Sequence, residues 1–333
     1  SSAASDVYKR QGISYQLVRS EHEQAVLGAY FTQSLLVDFV IKALEIFVRN
    51  IQNKKIINFN LDDLYLNVNI KILDPACGSG SFLAGFIRRA FEYGREKGFP
   101  LKDIASRLVH KVYGLDLDPL AVLVARSELY MLLSEHLTPP FEVNVYWADS
   151  LKLAQYIANK KPKTLSDFIP GFEKYKFELK APIKELEGEL ENAIEIVRNG
   201  VNVIIGNPPW GRKSEVKKRV RKTLENLGVS NPEKLAESYV NKIISVDELR
   251  EKYFSGRDSN IFIPFVIQAL RMLQSKGVLA LLVDARFVAS QWGKTLINFL
   301  KKNTIFLRVL DISKESLFIR ATSYPSLILA VTG

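Results

Sequence analysis

The chain has 333 residues, 47% hydrophobic and 25% charged, enough apolar material for a sizeable core and too balanced for a disordered chain. One cysteine and three histidines exclude a disulfide framework and leave no thiolate cluster for zinc, so no metal is expected; the longest apolar stretch, Leu35 to Val48, is broken by Asp38, Lys42 and Glu45, short of the roughly 18 uninterrupted residues of a membrane span. A formal charge of +10 favours a polyanionic partner where it is clustered, and the expected setting is cytoplasmic and reducing, with no membrane partner.

Residues 1–27, opening on Ser1 to Ser5 and Asp6 to Gln11, read as a scar followed by a lead-in helix, outside the fold. Apolar residues on a helical period predict a helix over Leu35 to Ile51, with Thr32 and Ser34 available as caps. Asn53 to Asn67 reads as a polar connector. Strands are expected at Ile70–Leu73, Val112–Leu115, Phe141–Trp147, Val201–Ile205, Val278–Val283, Thr304–Leu310 and Ser326–Val331, with helices at Ser81–Gly94, from Pro119, near Ile183–Arg198 and over Asn260–Leu273. Alternation of this kind requires crossover connections. The expected fold is α/β: a Rossmann-like, doubly wound, mostly parallel seven-stranded sheet. The charged stretches at about 152–200 and 211–257 read as insertions in a catalytic domain spanning 28–333.

Three motifs carry chemistry. Asp74-Pro75-Ala76-Cys77-Gly78-Ser79-Gly80 follows the first strand, and its glycines allow close backbone approach at the carboxyl end of the sheet. It lacks the Lys-Ser/Thr ending of a phosphate-cradling loop, and its acidic entry residue suits an amine or cation. Asp116, in Gly114-Leu115-Asp116-Leu117-Asp118-Pro119, ends the second strand where ribose hydroxyls are held. Asn207-Pro208-Pro209-Trp210 follows the fourth: two prolines stiffen the backbone while Asn207 offers an amide and Trp210 a flat aromatic face, a combination suited to a planar nitrogen substrate. Directly after it come Arg212, Lys213, Lys217, Lys218, Arg219, Arg221 and Lys222, with Glu215 the one acid among them, a run that reads either as a solvated helix face or, beside this loop in a chain of +10 charge, as a contact to nucleic-acid phosphates.

These motifs, together with Gly28-Ala29-Tyr30-Phe31-Thr32 and Ala148-Asp149-Ser150-Leu151, stand in the order of the S-adenosylmethionine-dependent N6-adenine DNA methyltransferases of the gamma arrangement. The chain resembles their catalytic domain, closest to the methylase modules of type I and type IIG restriction-modification enzymes.

The resemblance implies S-adenosylmethionine as cofactor, with Thr32 at its methionine end, Asp74, Ala76, Gly78 and Gly80 around its amino acid portion, Asp116 on the ribose and Asp149 on the adenine amino group. It implies catalysis by the Asn207, Pro208, Pro209 and Trp210 loop on the exocyclic N6 of an adenine flipped out of double-stranded DNA, stacked between Trp210 and Phe318. It also implies a recognition domain lying downstream of the chain or a separate specificity subunit, and a place in a restriction-modification or related defence system. Rival readings are an N-methyltransferase acting on ribosomal RNA guanine or protein glutamine, and a catalytically idle DNA-binding subunit. The GAYFT element argues against the first and the intact loops against the second.

Overall fold

A computed structural model describes residues 34–151, 153–154, 183–211, 214, 217–218, 221–222, 225, 231–234, 236–237, 260–312 and 325–333. The strands are β1 (Ile72–Asp74), β2 (Val112–Asp116), β3 (Asn144–Trp147), β4 (Val201–Gly206), β5 (Leu273–Asp284), β6 (Thr304–Asp311) and β7 (Pro325–Thr332). They form one seven-stranded sheet in the order β3-β2-β1-β4-β5-β7-β6. Neighbours from β3 to β5 are parallel, and β7 runs antiparallel to both β5 and β6.

The apolar runs that marked the strands are continuous because the central sheet is covered on both faces. Every residue of β1 and β7 is buried, whereas β6, at the sheet edge, mixes half-buried and exposed positions. The helices are α1 (Ser34–Ile51), α2 (Leu61–Leu66), α3 (Ser81–Glu96), α4 (Leu101–Leu108), α5 (Pro119–Ser134), α6 (Ile183–Asn199), α7 (Phe262–Met272) and α8 (Gln291–Asn303). Helix α1 buries Val37, Val40, Ile41, Leu44, Phe47, Val48 and Ile51 on one stripe, as its period requires. No helix among the described residues is long and apolar enough to cross a membrane.

Three local features differ from the sequence reading. The stretch read as a connector contains α2, started by a reciprocal cap in which Asn60 Oδ1 accepts from the Asp63 N–H and Asp63 Oδ2 from the Asn60 N–H. Its carboxyl end is closed by the buried Lys111, whose Nζ donates to the carbonyls of Leu64 and Asn67 at 2.8 Å each. Strand β5 begins earlier than expected, at Leu273, with an irregularity between the pairs Val201↔Leu273 and Val203↔Val278. Finally, α6 lies inside the stretch read as an insertion. It buries Leu190, Ala193, Ile196 and Val197 and packs against β3, so it belongs to the framework that carries the chain from β3 to β4.

The strand order positions the site. The chain lays down β1, β2 and β3 in one direction across the sheet, then returns to place β4 on the other side of β1. Between β1 and β4 the order reverses, and the loops leaving these two strands diverge around a crevice at their carboxyl ends, where open α/β sheets bind ligands.

Candidate active site

Asp74 ends β1 and is 1% exposed. Its Oδ1 accepts from the Ala76 N–H at 3.1 Å, which turns the chain sharply out of the strand. The loop is then tied to β2: the Cys77 N–H donates to the Leu115 carbonyl at 2.9 Å and the Gly78 N–H to Asp116 Oδ2 at 2.7 Å. Gly78 and Gly80 have φ of 54° and 88°, in the left-handed region where a side chain is strained. A Cβ on Gly78 would meet nothing within 4 Å, so its backbone faces open space. Gly80 instead abuts α5, where a Cβ would lie 3.1 Å from that of Ala125. Cys77 is buried and burial pushes its thiol pKa up, so it packs rather than reacts.

Asp116 Oδ1 accepts from the Asp118 N–H at 2.8 Å, so each carboxylate oxygen holds one backbone donor and keeps capacity for another. The Ala148 N–H donates to the Asp116 carbonyl at 3.0 Å and joins the end of β3 to the end of β2. Asp149 follows, buried, its Oδ1 accepting from the Leu151 N–H at 3.1 Å. Asp74, Asp116 and Asp149 therefore stand at the ends of three parallel strands. Burial, opposed by the Ala76 hydrogen bond and aided by the nearby Asp116 charge, pushes the Asp74 pKa up to about 8, and burial holds Asp116 at about 6. Such a pair favours a ligand that brings positive charge.

Strand β4 ends at Gly206, followed by the Asn207-Pro208-Pro209-Trp210 loop. Asn207, Pro209 and Trp210 are half-buried and Pro208 is buried. Trp210 packs against the core, and its buried Nε1 has no hydrogen-bond partner among the described residues. The loop lies against the β1 loop through Gly206, where a Cβ would come within 2.5 Å of Asp74 Oδ1.

At its far end the loop meets residues that sequence reasoning missed. The Gly211 N–H donates to Asn260 Oδ1 at 2.9 Å, and the Gly211 carbonyl accepts from the Ile261 N–H at 2.9 Å. Asn260 Nδ2 in turn donates to Asp284 Oδ2 at 3.1 Å at the end of β5, and Arg286 pairs with the same carboxylate. One signal was available: Asp284 is another carboxylate at a strand's carboxyl end, like Asp74 and Asp116.

The basic run is less open than the sequence suggested. Lys217 pairs with Glu233 at 2.8 Å and Glu237 at 3.1 Å, and Arg221 with Glu225 at 3.3 Å and Glu233 at 3.2 Å. Glu215 is thus not the only acid near it, because Glu225, one helical turn beyond Arg221, and Glu233 and Glu237, farther along the chain, supply others. Lys218 and Lys222 are exposed. Thr32, Arg212, Lys213 and Phe318, and with them the 28–32 element, lie outside the described residues. Among the described residues no group of three or more His, Cys, Asp or Glu is arranged to hold a metal ion.

The family description "Eco57I restriction-modification methylase" matches residues 110–318, which contain Asp116, Asp149 and the Asn207–Trp210 loop. The chain belongs to this family. S-adenosylmethionine is the cofactor of this Eco57I-type methylase chain. The open cradle at Gly78 beside two cation-favouring carboxylates fits that molecule.

The chain is 21% identical over 315 residues to the type II methyltransferase M.BstVI of Geobacillus stearothermophilus, covering 94% of this chain and 43% of that protein. It is 30% identical over 148 residues to the adenine-specific methyltransferase PglX of Streptomyces coelicolor, covering 42% of this chain and 12% of that protein. The chain thus spans less than half the length of these relatives. Among solved structures, a DrdV–DNA complex matches with a TM-score of 0.62 at 16% identity, over 93% of this chain and 27% of that one, a likeness of fold.

Proposed function

We propose that the chain transfers a methyl group from S-adenosylmethionine to the exocyclic N6 of an adenine in DNA, as the methylase part of a longer restriction-modification enzyme. The observation that carries this reading is the apposition at the strand-order reversal: the Asp74 loop and the Asn207 loop meet where Gly206 touches Asp74. The relatives' names, type II methyltransferase and adenine-specific methyltransferase, support the substrate class.

In this reading Asp74 accepts from the cofactor's ammonium group while Ala76, Gly78 and Gly80 bring backbone close to its amino acid portion. Asp116 takes the ribose hydroxyls, Asp149 the adenine amino group, and Thr32 adds a contact at the methionine end. When bound, the cofactor supplies an electrophilic methyl group on a sulfonium centre. The lone pair of an adenine amine is delocalised into the ring, which makes it a poor nucleophile. Asn207 Oδ1 and the Pro208 carbonyl, aimed at its two N–H groups, favour a pyramidal nitrogen and stabilise the positive charge that develops there. The stiff Pro208-Pro209 pair holds these acceptors in line with the methyl group, a positioning effect worth roughly 7 to 11 kcal/mol in favourable cases.

An adenine inside a duplex cannot reach this crevice, so the base is flipped out. Stacking on Trp210, with Phe318 on the opposite face, offsets about 1 to 3 kcal/mol of the unstacking cost for each aromatic face. Arg212, Lys213, Lys218 and Lys222 supply phosphate contacts, which position the duplex without reading its sequence. Base readout belongs to a recognition domain of the longer protein or to a separate specificity subunit.

Incubation with labelled cofactor and, separately, DNA, ribosomal RNA and protein, followed by mass spectrometry, tests the proposal. N6-methyladenine in DNA is the expected product. Label in RNA guanine or protein glutamine, or none at all, would overturn it.

A further inference from the structure

The loop from Asn207 to Trp210 has two ends, and both are held. At the start, Gly206 lies against Asp74. At the finish, Gly211 is gripped through both of its backbone polar groups, its N–H by Asn260 Oδ1 and its carbonyl by the Ile261 N–H, each at 2.9 Å. Between these points two prolines fix φ. A short, stiff segment pinned at both ends leaves its central side chains little freedom.

The grip depends on which way the Asn260 amide faces. An amide can turn over and exchange its oxygen for its nitrogen, and only one orientation accepts from Gly211. Asp284 selects it: a carboxylate only accepts, so the amide nitrogen must face Asp284 and the oxygen must face Gly211. Asn260 is 2% exposed and Asp284 1%, so water does not compete for these bonds. A lone charge in so dry a place is costly. Arg286 offsets it, with Nε 2.9 Å from both oxygens of Asp284, while about half of its side chain stays in solvent. The arrangement is adjacent to the loop because β4 and β5 are paired, Gly206 opposite Leu281, and β5 continues to Asp284 alongside the departing loop.

We infer that Asn260 is a positioning residue for methyl transfer: oriented by Asp284 and Arg286, it sets the place of Gly211 and thereby of Asn207 and Trp210 against the cofactor side of the crevice. The inference rests on the reading of residues 207–210 as the acceptor loop.

The test uses Asn260→Asp, which keeps the shape of the side chain and removes its donor. The charged groups facing the new carboxylate are Asp284 and, behind it, Arg286; Gly211 and Ile261 contribute backbone groups. At alkaline pH two carboxylates face one another, whereas at lower pH one proton shared between them restores an O–H donor to Asp284. Relative to the unaltered chain, kcat of the variant should fall by about 100-fold near pH 8.5, the scale of a small misplacement of reacting groups, and recover at least tenfold near pH 6. Cofactor affinity should stay within about twofold, because Asp74 and Asp116 are untouched. A second readout does not need activity: with 5-fluorotryptophan incorporated, the Trp210 resonance, assigned from Trp210→Phe, should broaden or shift with the same pH dependence.

Asp284→Asn, which keeps an acceptor for Asn260 but drops the charge, serves if the first variant does not fold; a fall in kcat of about tenfold is expected from one weakened hydrogen bond. A folded variant with an unmoved Trp210 resonance overturns the inference, as does cofactor binding that falls in parallel with kcat, the mark of general structural damage. If the resonance responds but the unaltered chain methylates no DNA, the proposed function fails and the clamp stands.

Discussion

Gly206 stands so close to Asp74 that a Cβ on the glycine would lie 2.5 Å from Asp74 Oδ1 and 3.0 Å from its carboxyl carbon. The residue that ends β4 and precedes the Asn207–Trp210 loop is therefore in contact with the residue that ends β1 and precedes the 75–80 loop. Even the smallest side chain at 206 must displace one loop or the other.

Gly206→Ala should accordingly impair two steps at once. Overpacking of this kind costs about 1 to 3 kcal/mol where the surroundings cannot shift freely. Cofactor affinity, measured by calorimetry, should weaken by about tenfold, and methyl transfer at saturating cofactor should fall further, since the loop moves with the glycine. A variant with normal values for both would show that the two loops are independent.

The protonation of Asp74 gives a pH prediction of definite sign. Burial holds its folded-state pKa at about 8, above the ordinary 3.8. The native chain keeps a proton that the unfolded chain gives up, so this group's contribution to stability is full below about pH 4 and is lost as pH rises through about 8. Asp116, held at about 6, adds the same trend over a lower window. Asp74→Asn should be at least as stable as the unaltered chain at pH 8 in denaturant titrations, and should show a shallower loss of stability between pH 5 and 8. It should also bind the cofactor more weakly. Near pH 6.5, calorimetry in buffers of different ionisation enthalpy should record about one proton released on cofactor binding, and none for Asp74→Asn.

Asn207→Ala should separate binding from chemistry. Cofactor affinity should be retained while methyl transfer falls by about 100-fold or more, the effect of removing one transition-state hydrogen-bond partner. Near-normal turnover would remove Asn207 from the mechanism. Trp210→Ala should act on the base instead, and a 2-aminopurine at the target position should report less stable extrusion.

The described residues of the basic run divide into two pairs. Lys217 and Arg221 are engaged with Glu225, Glu233 and Glu237, whereas Lys218 and Lys222 are exposed beside them. Replacing Lys218 and Lys222 with glutamine should flatten the plot of log affinity against log salt by about 0.9 for each duplex phosphate that is no longer neutralised. The same change at Lys217 and Arg221 should leave the slope nearly unaltered, because their charge is already offset within the chain. Equal slopes for both double variants would refute this division.

Much of the framework was legible in the sequence because it depends on short-range pattern. The buried runs Ile72–Asp74, Val112–Asp116 and Val201–Gly206 had to be strands covered on both faces, and the helices between them had to be crossovers. The turn after Asp74 was legible too, since glycines at 78 and 80 meet a need for left-handed backbone. Helix α2 escaped notice because six residues are too few for a periodic signal, although Asn60 and Asp63 stood at capping-box spacing.

The sequence by itself determined the parallel sheet, the loops that leave its strands and the order in which they occur, because strand and turn preferences act over a few neighbouring residues. Only the tertiary structure decided which loops meet. Gly206 against Asp74, Asn260 on Gly211 and Glu233 between Lys217 and Arg221 all join residues whose proximity follows from strand order and packing. Burial likewise decided the charge of Asp74, since a carboxyl group titrates in the ordinary range until its surroundings exclude water.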